Sequence, residues 1–448
     1  MNALNQYTDL YEANRAAVDA GSAPVLNRLR PEALDALKRI GRLPDKSDEG
    51  FEKTSVNDMF APDFGVNINR MSLPVDVASS FRCGVPNLST LLGIMVNDRF
   101  MPTATLVGNL PQGVTVCSLA KAAAEQPALV ERYYGTAARA DNAGTALNTL
   151  LSQDGIFIHV GKGVRLDKAI QIVDIFHSAF PLMAARRVLV VAEDGAKVAV
   201  LKCDHTQTGS ERCLASEVIE IFAGRGAEVE WYDIEESDGS TSRYSQLYAR
   251  QEGGSSLTVC GSTLTNGVTR NEYHIDVCGE HTVTHLSGMA IGSSSQHIDN
   301  FSVLRHGACH GHSDQLFKYV LDERSTGAFE GSIEVCHGSR FVEACQSNRN
   351  ILASKDARMH SKPQLLIYND DVKCSHGATT GQLDEKAMFY MQTRGIPREE
   401  ARRMLMQAFM ADVIDTIALE PLRDRLRHMV ERRFAGEKAG CRDCGAGC

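Results

Sequence analysis

The hydrophobic and polar positions in the middle of the chain alternate with a period of two from about Gly155 onward. The stretches KVAVLKCD, EVIEIFAG and AEVEWYDI show the alternation, and glycine-containing turns separate such stretches at roughly ten-residue intervals. The pattern predicts many short strands with little helix between them. A sandwich, a barrel and a β-solenoid all fit it, and because the sequence shows no clean repeat, periodicity alone does not choose among them.

Helical patterns flank this β region on both sides. Before about Ser152, Pro31 opens one predicted helix, and SLAKAAAEQP predicts another. After Gly381 the pattern becomes helical again, with Asp384 as the expected N-cap. We therefore predict a mixed, largely helical region at 1–150, a β core at 151–382, a helical domain at 383–434 and a flexible cysteine-containing tail at 435–448.

The second helix of the C-terminal region carries a broad apolar stripe. Its members are Ala401, Met404, Leu405, Ala408, Phe409 and Val413. A stripe this wide requires more than one contact. One interpretation is packing against the β core, and the other is a platform that docks a partner protein.

Composition describes an acidic globular protein. The 448 residues are 43% hydrophobic, and 47 Lys and Arg face 56 Asp and Glu for a net charge of -9, which argues against nucleic acid as the main partner. No apolar run approaches the ~18 residues that span a bilayer. We expect a cytoplasmic protein that does not bind membranes, whose 13 cysteines are buried thiols or metal ligands, because cytosolic buffers keep thiols reduced.

The common enzyme motifs are absent, which leaves thiols and imidazoles as candidates for chemistry. Two clusters stand out, one with His306, Cys309, His310 and His312, the other with Cys278, His281 and His285. On alternating strands His281 and His285 would share a face, as would His310 and His312, so each pair could converge on an ion. The alternative is that these are surface histidines without a ligand.

The chain ends in CRDCGAGC, which places three thiols on a glycine-rich segment. Cys441, Cys444 and Cys448 have a spacing that can chelate zinc, iron or an iron-sulfur cluster. The alternative is a disordered tail whose thiols have no specific role. The sequence leaves both interpretations open.

The segment KCSHGATTG places Cys374 and His376 two residues apart, between an apolar run and a helical pattern. This segment, the longer stretch from QSNRNILASKDARMHSKPQLLIYNDDV to MFYMQTRGI, and FKYVLDERSTGAFEGSIEV closely resemble the SufB/SufD family of iron-sulfur cluster assembly proteins. CSHGATTG resembles the SufD branch in particular. The likeness extends to GVTVCSLAKA, DGIFIHVGKGVRLDKAIQI and DEGFEKTSVNDMF, but Lys53 stands where the family has an aromatic residue, and the three-cysteine tail is not a family feature.

The resemblance implies a mainly β fold, a right-handed parallel β-helix flanked by N-terminal and C-terminal helical regions. It also implies a non-catalytic scaffold in the SUF complex, in which SufD pairs with SufB through the end of the β-helix and each C-terminal helical domain docks one SufC, an ABC-type ATPase. An isolated chain is expected to form a homodimer through the same end. By similarity, His376 is the SufD imidazole at the SufB interface, where it would help to hold the nascent cluster, with Cys374 on the same strand face. The cluster or its iron would be bound transiently, with no stably bound cofactor.

Two other functions stay open. One is a purely structural adaptor, in which His376 only forms hydrogen bonds. The other is a polysaccharide-active enzyme, because β-helices host lyases and hydrolases whose sites need converging carboxylates. The acidic residues of the predicted strands, Glu217, Glu220, Glu228 and Glu230, are instead interpreted as the solvated half of the alternation.

Overall fold

A parallel β-solenoid of about eight coils forms the centre of the computed structural model, which describes residues 2–71 and 90–436. Each coil gives one strand to sheet A and one to sheet B. Sheet A contains β4 (Val114–Ser118), β5 (Ile156–Val160), β7 (Leu182–Ala192), β9 (Cys213–Ala223), β11 (Thr241–Gln251), β13 (Val268–Val277), β15 (His297–His306), β17 (Thr326–Val335) and β19 (Arg358–Ile367), with β1 (Gly65–Val66) beside β7. Sheet B contains β3 (Arg99–Pro102), β2 (Leu91–Val96), β6 (Ile170–Phe176), β8 (Lys197–Thr206), β10 (Glu228–Glu236), β12 (Ser256–Thr265), β14 (Val283–Gly292), β16 (His312–Leu321), β18 (Glu343–Leu352) and β20 (Lys373–Gly381).

The period-two alternation is the reason why these strands stack. Val200, Trp231, Val259 and Leu286 are register partners on successive strands of sheet B, and all four are buried in the core between the sheets. Because residues two apart share a face, one apolar row per strand fills the interior while the backbone pairs with the next coil. The predicted mainly β, parallel solenoid is confirmed, and the sandwich and barrel are excluded. The predicted mixed region at 1–150 contributes the first strands of both sheets, β2 to β4.

N-terminal helices cover the outer face of sheet A. They are α1 (Ala3–Ala20), α2 (Pro24–Asn27), α3 (Arg30–Ile40), α4 (Val56–Phe60), α6 (Leu119–Glu125), α7 (Pro127–Tyr133) and α8 (Ala143–Leu151). The remaining N-terminal helix, α5 (Ala104–Asn109), instead packs on β2, and its Leu106 joins the core between the sheets. Pro31 lies in the first turn of α3, and Ser118 caps α6 by accepting from the Lys121 backbone N–H. Side chains of α1, α3, α4 and α8 share a core with outward residues of sheet A such as Leu214 and Tyr244. Sheet A is therefore buried on both faces over these coils.

C-terminal helices cover the outer face of sheet B. α10 (Arg398–Ile414) and α11 (Glu420–Phe434) pack on that face, α9 (Glu385–Thr393) packs on α10, and Asp384 caps α9 as expected. Among the described residues, none of the helices combines the length and the apolar composition of a membrane span. Whether 1–150, 151–382, 383–434 and 435–448 fold as separate domains stays a prediction.

Two of the strand-borne acids are not solvated, contrary to the sequence interpretation. Glu217 is 1% exposed inside the solenoid and Glu220 is 0% exposed beneath the N-terminal helices. Glu220 accepts hydrogen bonds from the backbone N–H groups of Gly135 and Ala138 and pairs with Arg187 at 2.8 Å. The interpretation was wrong because both faces of sheet A are covered, so alternation along β9 does not separate a wet face from a dry one.

Buried charges occupy the interior of the central coils. Arg186, Lys202 and Arg243 lie there among a larger number of carboxylates, which are Asp174, Asp204, Glu217, Asp233 and Glu235. Lys202 Nζ lies 2.6 Å from Asp204 Oδ2 and 3.1 Å from Glu217 Oε1. A buried charge is tolerated only when it is paired and hydrogen-bonded, so these coils depend on the completeness of the network.

Glu235 makes the stability of this network dependent on pH. Burial raises the pKa of Glu235 from 4.5 to about 7, while its oxygens accept hydrogen bonds from Thr269 at 2.7 and 2.9 Å and from Thr263 at 3.1 Å. Between these two pKa values the folded chain holds a proton that the unfolded chain has released, so the free energy of unfolding falls as the pH rises through this window. We expect E235Q to lose part of that slope.

The measurement is guanidinium unfolding at pH 5 and pH 8. From pH 5 to pH 8, E235Q should lose less stability than the wild-type chain, by roughly 1 to 3 kcal/mol. Glu228, on the same strand, pairs with Arg165 and Lys197, and that pairing lowers its pKa. E228Q should therefore keep the wild-type slope above pH 5. Identical slopes for E235Q and the wild-type chain would contradict the assignment.

Candidate functional site

The last coil of the solenoid is open. β19 pairs with β17 and β20 pairs with β18, and within the described part of the chain no strand pairs with the outer edge of either. The same end exposes three large apolar side chains, which are Leu366 at 43%, Ile367 at 40% and Tyr368 at 47%. Unpaired strand edges beside exposed apolar side chains form a surface that suits another polypeptide.

Cys374 and His376 lie on the interior face of this open coil. His376 is the register partner of Gln346, which is the partner of Gln315, and the same row continues to Leu286 in the core. Cys374 is the partner of Ala344 in the neighbouring interior row. The two-residue spacing thus gives both side chains one face, as the sequence predicts. His376 is exposed only because no further coil covers it.

Polar side chains continue from His376 into the solenoid. Gln346 is 1% exposed, and its Nε2 donates to Gln315 Oε1 at 3.1 Å. Gln315 Oε1 also accepts from the Ser302 hydroxyl at 3.0 Å. Gln346 Oε1 has no hydrogen-bond partner among the described residues, so an acceptor is available one coil below the His376 imidazole. A hydrogen bond to one ring nitrogen would direct the other toward a metal.

The Cys374 thiol is half-buried beside the last coil. Burial raises the pKa of Cys374, although a backbone hydrogen bond with Ala344 acts in the opposite direction. The residue therefore holds its proton at neutral pH. It could bind iron only after losing that proton.

Sequence reasoning missed Gln346 and Gln315. The available signal was the alternation of amides in QSNRN, where Gln346, Asn348 and Asn350 are all buried on the interior face. Amides at every second position of a strand indicate that the interior row, which is apolar on most strands of the solenoid, is polar on this strand.

The two histidine clusters do not converge as their spacing predicted. His281 and His310 lie in turns with positive φ of 57° rather than on strands, so neither shares a strand face with its predicted partner. Their rings stack on each other at 4.7 Å, and His310 stacks on Phe341 at 5.0 Å. His285 instead pairs with Asp314. Within residues 2–71 and 90–436, no group of three or more His, Cys, Asp or Glu side chains is arranged to hold a metal ion.

The predicted tail site, Cys441, Cys444 and Cys448, lies outside the described residues. It stays a prediction.

The predicted docking stripe is divided between two environments. Ala401 and Val413 are 0% exposed, and Val413 packs with Met410 against outward residues of sheet B. Phe409 and Leu405 are half-buried, whereas Met404 and Ala408 are exposed. The packing interpretation therefore holds for the buried members, and only the exposed ones are available to a partner.

Two family models match most of the chain. One, described as "SUF system FeS cluster assembly, SufBD core domain", matches residues 176–409, and the other, "SufBD protein N-terminal region", matches residues 1–172. An iron-sulfur cluster assembly SufBD family protein of Synechocystis sp. is 28% identical over 94% of this chain and 93% of its own length.

Two proteins named SufD are also similar. The iron-sulfur cluster assembly protein SufD of Bacillus subtilis is 27% identical over 72% of this chain and 74% of its own length. That of Escherichia coli is 31% identical over 39% of this chain and 41% of its own length.

Proposed function

This chain belongs to the SufBD family and takes part in iron-sulfur cluster assembly, and from this premise we propose that it is a SufD-like, non-catalytic scaffold subunit of the SUF complex. It pairs with a SufB-like paralogue and docks a SufC-like ATPase. The observation that carries the proposal is the location of Cys374 and His376 on the interior face of an open, uncapped coil. We propose that the complex works in the cytoplasm, where thiols stay reduced.

The nascent cluster is the cargo of this site and not a resident cofactor. His376 and Cys374 supply two donors, and a two-iron or four-iron cluster takes four protein donors, so a partner must supply the rest. A SufB cysteine is the expected donor across the open end. A neutral imidazole leaves iron more easily than an anionic thiolate, which suits a scaffold that must release what it has built. His376 is the primary ligand in this proposal, because the Cys374 thiol must first ionise.

The exposed end of the solenoid supports pairing with SufB, and with a second copy when the chain is alone. Ile367 is the register partner of buried Val335 and is exposed at 40%. A carboxylate at this position would be buried by any partner that extends the solenoid, and an unpaired buried charge is strongly unfavourable.

We therefore expect Ile367→Asp to weaken both the homodimer and co-purification with a SufB counterpart by about tenfold or more. Sedimentation velocity across a concentration series measures the homodimer. Phe180→Asp is the matched control, because Phe180 is exposed at 44% but lies before β7, far along the chain from the open end. If both variants dimerise like the wild-type chain, the open end is not the pairing surface.

The C-terminal helices support docking of the ATPase. Phe389 and Tyr390 on α9 are exposed at 68% and 58%, and Met404 on α10 is exposed at 43%. Exposed aromatic and methionine side chains are typical of interface cores. Beneath them, Lys318 on β16 donates to the Phe409 carbonyl at 2.8 Å and pairs with Asp412, and Arg402 pairs with Asp322 at 2.8 Å. Movement of a docked ATPase would therefore be transmitted through α10 to the solenoid.

Met404→Asp should weaken binding of the SufC counterpart by about tenfold or more, because the carboxylate would be desolvated in the interface core. Isothermal titration calorimetry with the purified ATPase measures the loss. His428→Asp is the control, since His428 is exposed on α11, away from this patch. Equal affinities for the two variants would remove Met404 from the docking surface.

A further inference from the structure

One position in the turns from sheet A to sheet B has a left-handed backbone on coil after coil. The N–H of this position donates to the carbonyl that precedes the same position on the next coil, as from Gly226 to Gly253 at 3.0 Å and from Phe341 to Asp371 at 2.7 Å. We call these residues the left-handed row, and their φ lies between 57° and 71°. In chain order the row is Gly163, Gly195, Gly226, Gly254, His281, His310 and Phe341.

The last three members of the left-handed row are rings where the earlier coils have glycine. Glycine adopts a positive φ without strain, whereas an L side chain brings its Cβ too close to a backbone oxygen. Histidine tolerates the conformation better than most residues, but a bulky residue such as Phe341 is rarely found in it. Residues held in such conformations cluster at sites that bind ligands or partners, so these rings indicate a function that glycine would not serve.

The three rings stack on one another toward the open end of the solenoid. His281 lies 4.7 Å from His310 at an interplanar angle of 13°, and His310 lies 5.0 Å from Phe341 at 19°. Phe341 is 55% exposed, and within the described chain His310 is the only ring that stacks on it. On the last coil the equivalent position is Val372, which has no ring. The stack therefore fixes the Phe341 ring and leaves its other face uncovered beside the last coil.

The surface around Phe341 is continuous with the open end. Tyr368 belongs to the last coil, is exposed at 47%, and packs against the His337 ring at 5.0 Å on the same corner. Arg340 and Asp371 are exposed on either side of Phe341, and neither side chain forms an ion pair with a described residue. An apolar ring between a cation and an anion is complementary to itself, because a two-fold axis brings the cation of each copy against the anion of the other.

We propose that Phe341 is an anchor of the surface through which two copies of this chain pair, and that a side chain of the second copy covers the ring face turned away from His310. The inference rests on the proposed pairing through the open end and adds to it a residue outside the last coil. A ring already fixed by stacking loses little conformational freedom on binding, which is typical of an interface anchor.

Phe341→Gly tests the proposal, because it should weaken pairing without weakening the fold. Sedimentation velocity across a concentration series should show a dimer weakened by about tenfold or more. The guanidinium midpoint, measured where the chain is monomeric, should lie at or above that of the wild-type chain, since glycine is favoured at a φ of 58°. A lower midpoint together with a weaker dimer would make the ring part of the fold and overturn the proposal.

His281→Gly is the matched control. His281 has the same backbone conformation, with φ of 57°, and is also exposed, but it lies two coils farther from the open end than Phe341. This variant should dimerise like the wild-type chain. Equal weakening by His281→Gly and Phe341→Gly would assign the effect to the turn rather than to the open ring face.

Hydroxyl-radical footprinting of the wild-type chain, read by mass spectrometry, gives a second measurement that needs no variant. Oxidation of Phe341 should slow severalfold from dilute to concentrated protein, while oxidation of His281 stays constant and serves as the internal reference. Unchanged oxidation of Phe341 overturns the proposal.

The Ile367→Asp variant distinguishes failure of this inference from failure of the proposed pairing. If Ile367→Asp weakens the dimer and Phe341→Gly does not, pairing through the open end stands without this anchor. If neither weakens it, or if the wild-type chain is monomeric at every concentration, the pairing fails and the inference fails with it. If Phe341→Gly weakens binding of the SufB counterpart alone, the ring's partner is not a second copy.

Discussion

Replacing His376 with alanine is expected to reduce ATP-dependent cluster formation to less than about a tenth of wild type in an assembly with the SufB and SufC counterparts. The chain itself should stay folded, because His376 is exposed on the last strand. The loss would arise from one missing donor at a site where Cys374 and the partner supply the others. The measurement is absorbance and iron content of the complex, purified and reconstituted anaerobically.

Ser375→Ala is the matched control for this experiment. Ser375 is exposed on the same strand but, being one residue away from His376, it lies on the opposite face. It should support wild-type cluster formation. If His376→Ala forms an intact complex with an unchanged cluster, this chain is a structural adaptor and the ligand role is wrong. Failure of the wild-type chain to recruit the ATPase would instead contradict the docking proposal.

Replacing His376 with cysteine distinguishes binding of the cluster from its release to an acceptor protein. His376→Cys would replace a neutral donor with an anionic thiolate, which binds iron more tightly. We expect clusters to form on this variant but to transfer more slowly to an acceptor protein. Transfer at the wild-type rate would mean that exchange is governed by the partner's ligands.

The strands were predictable from sequence, but their arrangement was not. The alternation in KVAVLKCD and AEVEWYDI predicts β8 and β10, because one row of side chains must enter a dry core. It does not predict that Val200, Trp231 and Val259 stack in register, since sandwiches and barrels use the same period. The turns between coils differ in length, so the repeat is blurred, and the family resemblance supplied the solenoid.

The sequence also did not predict which of the alternating side chains are buried. Glu217 and Glu220 belong to an alternating pattern, yet helices far away in the chain cover the second face of their sheet. The spacing of Cys374 and His376 did predict their shared face, because it depends only on strand geometry. That this face lies at an open end, above Gln346, depends on which strands pair, and a two-residue motif contains no such information.

The interior charges lead to the prediction with the largest expected effect on stability, which is for Lys202→Met. Lys202 is 0% exposed and lies within 4 Å of four carboxylates, which are Asp174, Asp204, Glu217 and Asp233. Removing its charge leaves Arg186 and Arg243 to balance them all. Breaking a buried ion network by removing one partner typically costs about 3 to 5 kcal/mol, because a desolvated charge stays behind. Guanidinium unfolding at pH 7 should show a loss of this size.

Lys197→Met is the matched control, since Lys197 begins the same strand and its pair with Glu228 is partly exposed, at 38% and 41%. The free energy of unfolding of this control variant should lie near that of the wild-type chain.

Repeating the unfolding measurement at pH 5 tests the cause of the loss in Lys202→Met. Burial already raises the pKa of Asp174 to about 7, and without Lys202 the neighbouring carboxyls should also take up protons more readily. The difference in the free energy of unfolding between Lys202→Met and the wild-type chain should therefore be smaller at pH 5, because protonation removes the uncompensated charge. A difference that is equal at both pH values would indicate lost packing of the lysine stem rather than an unpaired carboxylate.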